Sequence, residues 1–450
     1  MLAAGRSTRF RSATPKILHP LAGQPLLQYG LAAARALRPA QLVVVLNPDS
    51  RSVVAAALPE ALRGVKIAVQ RDPLGTAHAV QAAATALRGF AGHVLILCGD
   101  VPLLRAETLQ TFVDAVAASA APGGLLTMTP ADPFGYGRVV RTTGGSVHAI
   151  VEERDADAGT RAIREVNTGI YCCDARWLFT QLKRIGRGNA QREFYLTDLA
   201  ALAAAAGTPL VAVSASDATE FAGVNSRAEL AALAASLRRR LNDDWMRRGV
   251  SFLDPATAYV DATVTIGEES VIGPSVTLAG TTRIGRNCVI GHGAVLTNAQ
   301  LADGVAILPY SVIDDAVVGP DCRIGPFARL RPGTRLDAHV HVGNFVETKK
   351  AWLKCGAKAN HLTYLGDATI GAKTNIGCGT ITCNYDGVAK HQTTIGEGVF
   401  VGSDTAFVAP VRIGNGATIG AGSVITDDVP PHSLALARGR QVVKRGWKRK

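Results

Sequence analysis

The sequence predicts two architectures in tandem: an α/β domain with helices on both faces of a sheet, then a parallel β-helix. Three observations predict it. Short apolar runs alternate with Ala-rich stretches up to about residue 250. A segment of helical periodicity follows. From about residue 261 the chain repeats every six residues.

In the first part, Leu42–Leu46 and Val94–Leu97 are short apolar runs of the kind found in parallel strands buried on both faces. The Ala-rich stretch from Ala77 to Leu87 reads as a crossover helix, and the alternation gives the α/β class. Ser226 and Glu229 have capping-box spacing. Leu230, Leu233, Leu237, Leu241 and Trp245 then recur at threes and fours, which predicts a long amphipathic connecting helix. The expected boundaries are 1–225, a linker helix over 226–250, and 251–450.

The repeat runs IGEESV, IGPSVT, LAGTTR, IGRNCV, IGHGAV, and returns as IGEGVF, VGSDTA, IGNGAT, IGAGSV. An aliphatic residue opens each unit and points into the core, and the glycine that usually follows permits a tight corner. Three such strands make one turn, so 261–426 supplies about nine coils. One interruption, Asn384 to Thr394, breaks the period and is a natural place for an active-site loop.

Bulk properties narrow the function classes. No apolar run is long enough to span a membrane, and the N-terminus lacks the charged leader and apolar core of a secretory signal. Net charge is +12, yet aromatics are 5% and no nucleic-acid motif accompanies the charge, which points to anionic small substrates instead. Lys444–Lys450 reads as an exposed basic tail. Eight cysteines without metal or CxxC spacing fit a reduced, cytoplasmic setting.

Several clusters carry chemistry. Leu2-Ala3-Ala4-Gly5, with Arg9 and Lys16 close behind, can bring backbone N–H groups and positive charge to phosphates. Gln70 precedes Leu74-Gly75-Thr76-Ala77, and Cys98-Gly99-Asp100 ends an apolar strand, where α/β sheets place ligands. A carboxylate there suits Mg²⁺, although Asp100 could equally cap a helix. Gly135–Arg138, Val151–Glu153, Asn167–Gly169, Tyr195–Asp198 and Gly223–Asn225 follow in order. Taken singly, Gly137 could turn a hairpin, Asn167 cap a turn and Glu152 sit on the surface. In the repeat region Arg331, Lys349 and Lys390 offer positive charge, and Asn360–Tyr364 adds an imidazole and a phenol. Asn375, Asn384, Tyr385 and Ser403 add neutral hydrogen-bonding groups.

In this order the motifs resemble the bifunctional N-acetylglucosamine-1-phosphate uridyltransferase/glucosamine-1-phosphate acetyltransferases, over nearly the whole chain. The resemblance implies an α/β nucleotidyltransferase (Rossmann-like) domain followed by a left-handed parallel β-helix of hexapeptide repeats. It implies that Leu2, Ala3, Ala4 and Gly5 line the nucleotide, with Lys16 on its phosphates. Gln70, Gly75 and Thr76 read uracil and ribose, and Cys98 and Gly99 lie beside the substrate. Gly137, Glu152 and Asn167 hold the sugar, while Asp100 and Asn225 hold Mg²⁺. His361 is the implied general base of acetyl transfer. Arg331, Lys349, Tyr364, Asn375 and Lys390 bind glucosamine-1-phosphate; Cys378, Asn384, Tyr385, Ser403, Ala421 and Arg438 contact acetyl-CoA. The implied co-substrates are UTP and acetyl-CoA, the implied assembly a homotrimer, and the implied product UDP-N-acetylglucosamine for cell-wall precursors.

Two departures stand out: Cys378 replaces a usual Ala, and Cys98 replaces another residue before Gly-Asp. The family also has an apolar strand ahead of the Leu-Ala-Ala-Gly loop, whereas Met1 abuts Leu2 here. The expectation is therefore either an upstream start or a chain that acetylates well and transfers uridylyl poorly. Two other readings compete: a scaffold that has lost catalysis, and a nucleotidyltransferase for another sugar whose β-helix serves only assembly.

Overall fold

A computed structural model describes residues 1–5 and 8–448; Arg6 and Ser7 of the phosphate loop, and Arg449 and Lys450 of the tail, lie outside the described residues. The chain divides into two compact units, Met1–Ala235 and Ser236–Lys450.

In the first unit, Val43–Leu46 pairs in parallel with Lys66–Val69, and all four residues of Val43–Leu46 are buried, as a continuous apolar run requires. A larger mixed sheet runs Val211–Ser214, Gly123–Met128, Val166–Asp174, Arg138–Arg141, Val147–Val151, with His93–Ile96 also on Val166–Asp174. The second apolar run is parallel on one side only: its end pairs in parallel with the chain start at Leu2 and Cys98, while His93–Ile96 pairs antiparallel with Val166–Asp174. The hairpin Arg138–Arg141/Val147–Val151 reverses the chain, so the long strand after it enters from the opposite end. The Ala-rich helix is also shorter than predicted. Thr76–Ala82 is α-helical, and the chain continues in tighter turns, such as Ala84 N–H to Gln81 C=O at 3.0 Å, until Gly89 at φ +77° ends them.

The chain start bridges the two sheets. Leu2 N–H donates to Leu97 C=O at 2.7 Å, Ala3 N–H to Val45 C=O at 2.9 Å, and Gly99 N–H to Leu2 C=O at 2.8 Å. Leu2 thus makes isolated parallel bridges to Val45 on one side and Cys98 on the other. Beyond Met1, Val43–Leu46 and His93–Ile96 flank a mainly apolar cavity of about 230 Å³, lined among others by Val43, Val80, Leu95 and Leu97. The Met1 amino group is buried and donates to Val43 C=O at 3.0 Å.

The connecting segment is a helix, Arg227–Arg247. Ser226 Oγ accepts from Glu229 N–H at 3.2 Å, and the Glu229 carboxylate accepts from Asn225 N–H at 2.5 Å. In the second unit, parallel two- and three-residue strands stack in register. One face carries nine of them, from Thr265–Ile266 to Val411–Ile413. The repeat's aliphatic residues are the core: Ile266, Ile272, Leu278, Ile284, Ile290 and Leu296 are at most 7% exposed. The glycines after them serve close approach rather than a special backbone angle. A Cβ on Gly267 would lie 2.5 Å from the Gly285 carbonyl carbon in the next coil. The corner residues that adopt positive φ are others, such as Tyr310, Phe327 and Phe345.

Candidate functional sites

The loop after Met1–Ala3 emerges at the carboxyl ends of the strands. Asn47 Nδ2 donates to Ala4 C=O at 3.1 Å, which pins the loop to the end of Val43–Leu46. An open cavity of about 490 Å³ follows, lined by Ala3, Gly5, Phe10, Ser12–Ile17, Asn47, Asp49, Ser50 and Val53. Beside it lies a smaller one, about 160 Å³, lined by Ala4, Asn47, Asp49, Gln70, Arg71 and Pro73. Gly99 must stay small, because a Cβ there would meet Leu2 O at 3.1 Å and Ala3 Cβ at 3.0 Å.

Asp100 and Asn225 are far apart in sequence but adjacent in space. Val224 N–H donates to Asp100 C=O at 2.9 Å, which sets Asn225 beside it. The mostly buried Lys16 ammonium lies 2.6 Å from Asp100 Oδ2 and 3.5 Å from Asn225 Oδ1. A cation already sits where these two oxygens converge, so the pair is built to hold positive charge. Lys16, expected on phosphate, here rests on the two expected metal ligands.

Gln70 is buried and donates from Nε2 to Gly75 C=O at 3.1 Å. Gly75 has φ +112°, and a Cβ there would come within 2.5 Å of Phe194 O, so only glycine fits. Thr76 Oγ1 accepts from Leu196 N–H at 3.0 Å. Gly137 would bring a Cβ within 3.5 Å of the Glu152 carboxylate, and Asn167 N–H donates to Gly137 C=O at 2.9 Å, so these three residues meet. Burial raises the Glu152 carboxyl above its ordinary range. Thr197 Oγ1 donates to Glu152 Oε1 at 3.2 Å and partly offsets that. Cys98 Sγ lies against Gly169, donating to its C=O at 3.8 Å, its thiol pushed up to about 12 by burial and by Asp100. Sequence reasoning quoted Tyr195–Asp198 but gave no role to Thr197, whose contact with Glu152 spans 45 residues.

In the β-helix, one corner stacks four of the expected residues. His361 aligns with Asn344 in the coil before it. Gly379 N–H donates to Leu362 C=O, Asp404 N–H to Cys378 C=O at 2.6 Å, and Gly422 N–H to Ser403 C=O at 2.8 Å. His361, Cys378, Ser403 and Ala421 therefore succeed one another up the corner. Arg438 reaches the same column, its guanidinium donating to Ala421 C=O at 2.8 Å.

The cations gather at the next corner. Asp367 N–H donates to Lys349 C=O at 2.9 Å, and Asn384 Nδ2 donates to Asp367 Oδ2 at 2.5 Å. Lys390 and Arg331 crowd Lys349 and hold its ammonium below the usual lysine range. Arg331 also pairs with Glu347 at 2.8 Å. Tyr364 lies on the strand joining the two corners, Lys358–Gly366. Asn375 aligns with Lys358 and Phe400, on the face before the His361 corner and apart from the cations. Tyr385 is exposed in the loop after Ile381–Cys383 and donates to Gly387 C=O at 2.6 Å.

Residues 1–169 match the model of the MobA-like NTP transferase domain. Residues 255–354 match that of the GMPPB C-terminal domain, and 392–427 that of the bacterial transferase hexapeptide (six repeats). The chain is 50% identical to "Bifunctional protein GlmU" of Syntrophotalea carbinolica, over all of this chain and 96% of that protein. It is 48% identical to the protein of that name from Pelobacter propionicus, over 100% and 97% of the two lengths. The one from Anaeromyxobacter dehalogenans is 53% identical over 99% and 91%. Sharing about half its residues with these proteins from end to end, and both of its units with the transferase domains they imply, the chain belongs to the bifunctional GlmU family.

Proposed function

We infer that the chain catalyses two consecutive transfers. Acetyl-CoA acetylates glucosamine-1-phosphate to N-acetylglucosamine-1-phosphate, and UTP then supplies uridylyl to give UDP-N-acetylglucosamine and pyrophosphate. Residues 1–225 carry the second reaction and 251–450 the first, with 226–250 connecting them. The chief support is the Lys16 ammonium held between Asp100 and Asn225 at the carboxyl ends of the strands. A site that gathers cations at this place suits a triphosphate.

In uridylyl transfer, a phosphate oxygen of the sugar attacks the α-phosphorus of UTP in line and pyrophosphate leaves. Positioning and charge neutralisation supply the catalysis. Leu2–Gly5 line the nucleotide, and Gln70, Gly75 and Thr76 hold its base and ribose. Cys98, Gly137, Glu152 and Asn167 enclose the sugar. Asp100 and Asn225 fit Mg²⁺, which takes few protein oxygens and completes its shell with phosphate and water. An Mg²⁺ ion held there would neutralise triphosphate charge, and Lys16 would contribute its charge to the same phosphates.

In acetyl transfer, the sugar amine attacks the thioester carbonyl, the CoA thiolate leaves, and His361 takes the amine proton. Cys378, Ser403, Ala421 and Arg438 line the acetyl-CoA side, with Asn384 and Tyr385. Arg331, Lys349, Tyr364, Asn375 and Lys390 hold the sugar phosphate. Gly366, which pairs with Lys349, lies five positions along the chain from His361, a span of at most roughly 16 Å. The base and the cations thus stand at opposite ends of one face, and a second copy laid alongside would bring them together. A stacked, half-exposed ridge of Tyr310, Phe327 and Phe345, with ring centroids 5.2 and 5.6 Å apart, climbs the His361 corner and ends at exposed Leu362. Such a ridge suits a homotrimer packed about its β-helices. All eight cysteines are free, which suits a reducing cytoplasm. Among the described residues no helix is long and apolar enough to cross a membrane.

Incubation with glucosamine-1-phosphate, acetyl-CoA, UTP and Mg²⁺ tests the reading. UDP-N-acetylglucosamine and pyrophosphate are expected, with N-acetylglucosamine-1-phosphate accumulating when Mg²⁺ is withheld. Absence of acetylated product, or uridylyl transfer indifferent to Mg²⁺, would refute it.

A further inference from the structure

The loop between Ile381–Cys383 and Thr393–Ile395 is the one long insertion noted in the repeat. Its flanking strands start at 381 and 393, whereas an uninterrupted coil has 277 and 283. The coil before it holds such a loop only near its ends, at Asn384 on Asp367 and Gln392 on Thr369, so its middle must supply its own order. It does so around one carboxylate. Asp386 Oδ1 accepts from Val388 N–H at 2.8 Å and Ala389 N–H at 2.7 Å, and its Oδ2 faces His391 Nε2 at 2.6 Å. His391 N–H donates back to Asn384 C=O at 2.8 Å, and Asp386 N–H to Ala389 C=O at 3.2 Å. Tyr385 and Lys390 face each other as an antiparallel bridge inside this ring of bonds.

We propose that the Asp386–His391 pair is a positioning brace for acetyl transfer, holding Asn384, Tyr385 and Lys390 in the conformation that binds both substrates. The inference rests on the reading of those three residues as substrate contacts. The geometry explains why a side-chain pair is needed. Lys390 is exposed and crowds Lys349 as a like charge, so electrostatic repulsion alone would swing it away from the phosphate position. The imidazole next to it is tied to Asp386, which fixes the backbone at 390 against that repulsion. The Ala389 N–H, the His391 ring and the Val388 N–H together hold the Asp386 carboxyl well below its usual range, so the acceptor stays ionised.

The brace acts on ground-state binding, so its loss should raise KM and spare kcat. His391→Ala is expected to raise KM for glucosamine-1-phosphate and acetyl-CoA about three- to tenfold with kcat within about twofold, as loss of one partly exposed charge-assisted bond allows. His391→Gln, whose amide can donate to Asp386, should recover most of that. Uridylyl transfer by both variants should match the parent. Unchanged KM in His391→Ala overturns the proposal. So does a Gln variant no better than Ala, or a fall in kcat and melting temperature with KM constant, since those are the marks of a general packing role. Lys390→Ala and Tyr385→Ala are run beside them. Unchanged KM in both would overturn the reading of the loop as a substrate-binding element, and the brace's purpose with it.

Discussion

The two units solve site-building in opposite ways. In the α/β unit, Lys16, Asp100 and Asn225 meet although they are separated by up to 209 positions. They meet only because a central sheet holds them. In the β-helix, His361, Cys378, Ser403 and Ala421 meet because each coil repeats the one before it. A solenoid coil depends mainly on its neighbours, whereas a loop at a sheet edge is only as precise as the strand that anchors it. The contrast implies that the two half-reactions can be damaged separately, and that the first unit is the more fragile.

The sharpest way to break the comparison is to remove one group from each unit. His361→Ala should lower acetyl transfer by roughly 10²–10⁴-fold, the range for a lost general base, while uridylyl transfer stays near normal. Near-normal acetylation would remove His361 from the mechanism. Asp100→Asn should lower Mg²⁺-dependent uridylyl transfer by roughly 10²-fold or more, as loss of charge stabilisation at a phosphoryl centre does. Acetylation should keep its rate, with or without EDTA. Equal EDTA sensitivity of the two reactions would contradict the division.

Fragility of the first unit has its own measurement. Burial lowers the Met1 amino group from an ordinary 8.0 to about 6, so the folded chain prefers it neutral. Between those values the unfolded chain binds more protons, and stability rises with pH. In the chain beginning at Met1, roughly 2–3 kcal/mol should be lost as pH falls from above 8 to below 6. Urea melts across that range, read on the first unit, test it; a flat profile would mean the amine is hydrated. Four β-branched residues added ahead of Met1 should fill the adjoining cavity, abolish the dependence and raise uridylyl transfer without changing acetylation. The smallest effect concerns Cys378. Alkylation there should inhibit acetylation and acetyl-CoA should protect, with Cys378→Ala insensitive. A modified but fully active enzyme would mean that the thiol points away from the acetyl group.

The sequence discloses these units unequally for the same reason. A period of six residues displays core, corner and insertion of the β-helix directly, because spatial neighbours lie one coil apart. In the α/β unit only strand interiors such as Val43–Leu46 announce themselves. That His93–Ile96 pairs antiparallel depends on a hairpin reversal between residues 138 and 151, which apolarity does not encode. The resting place of Lys16 on Asp100 spans 84 positions, and that of Thr197 on Glu152 spans 45. Each residue type there suits several roles, and only packing selects one. Even the β-helix hides something: Asp386 and His391 stand five apart in a polar loop, and composition alone does not distinguish a brace from two solvated side chains.

The helix Arg227–Arg247 has a consequence beyond joining two units. Its Asn242 is fully buried, and the side-chain amide donates to Pro255 C=O at 2.8 Å and Ala258 C=O at 3.0 Å at the mouth of the β-helix, while Trp245 covers the first aliphatic layer. An uncovered solenoid end is a row of unpaired donors and acceptors above an open apolar core, a ready template for the next molecule. The amide and the indole act as a stopper. Without them, rods that stack their own coils so regularly would also stack on one another, and the enzyme would become the monomer of a fibre.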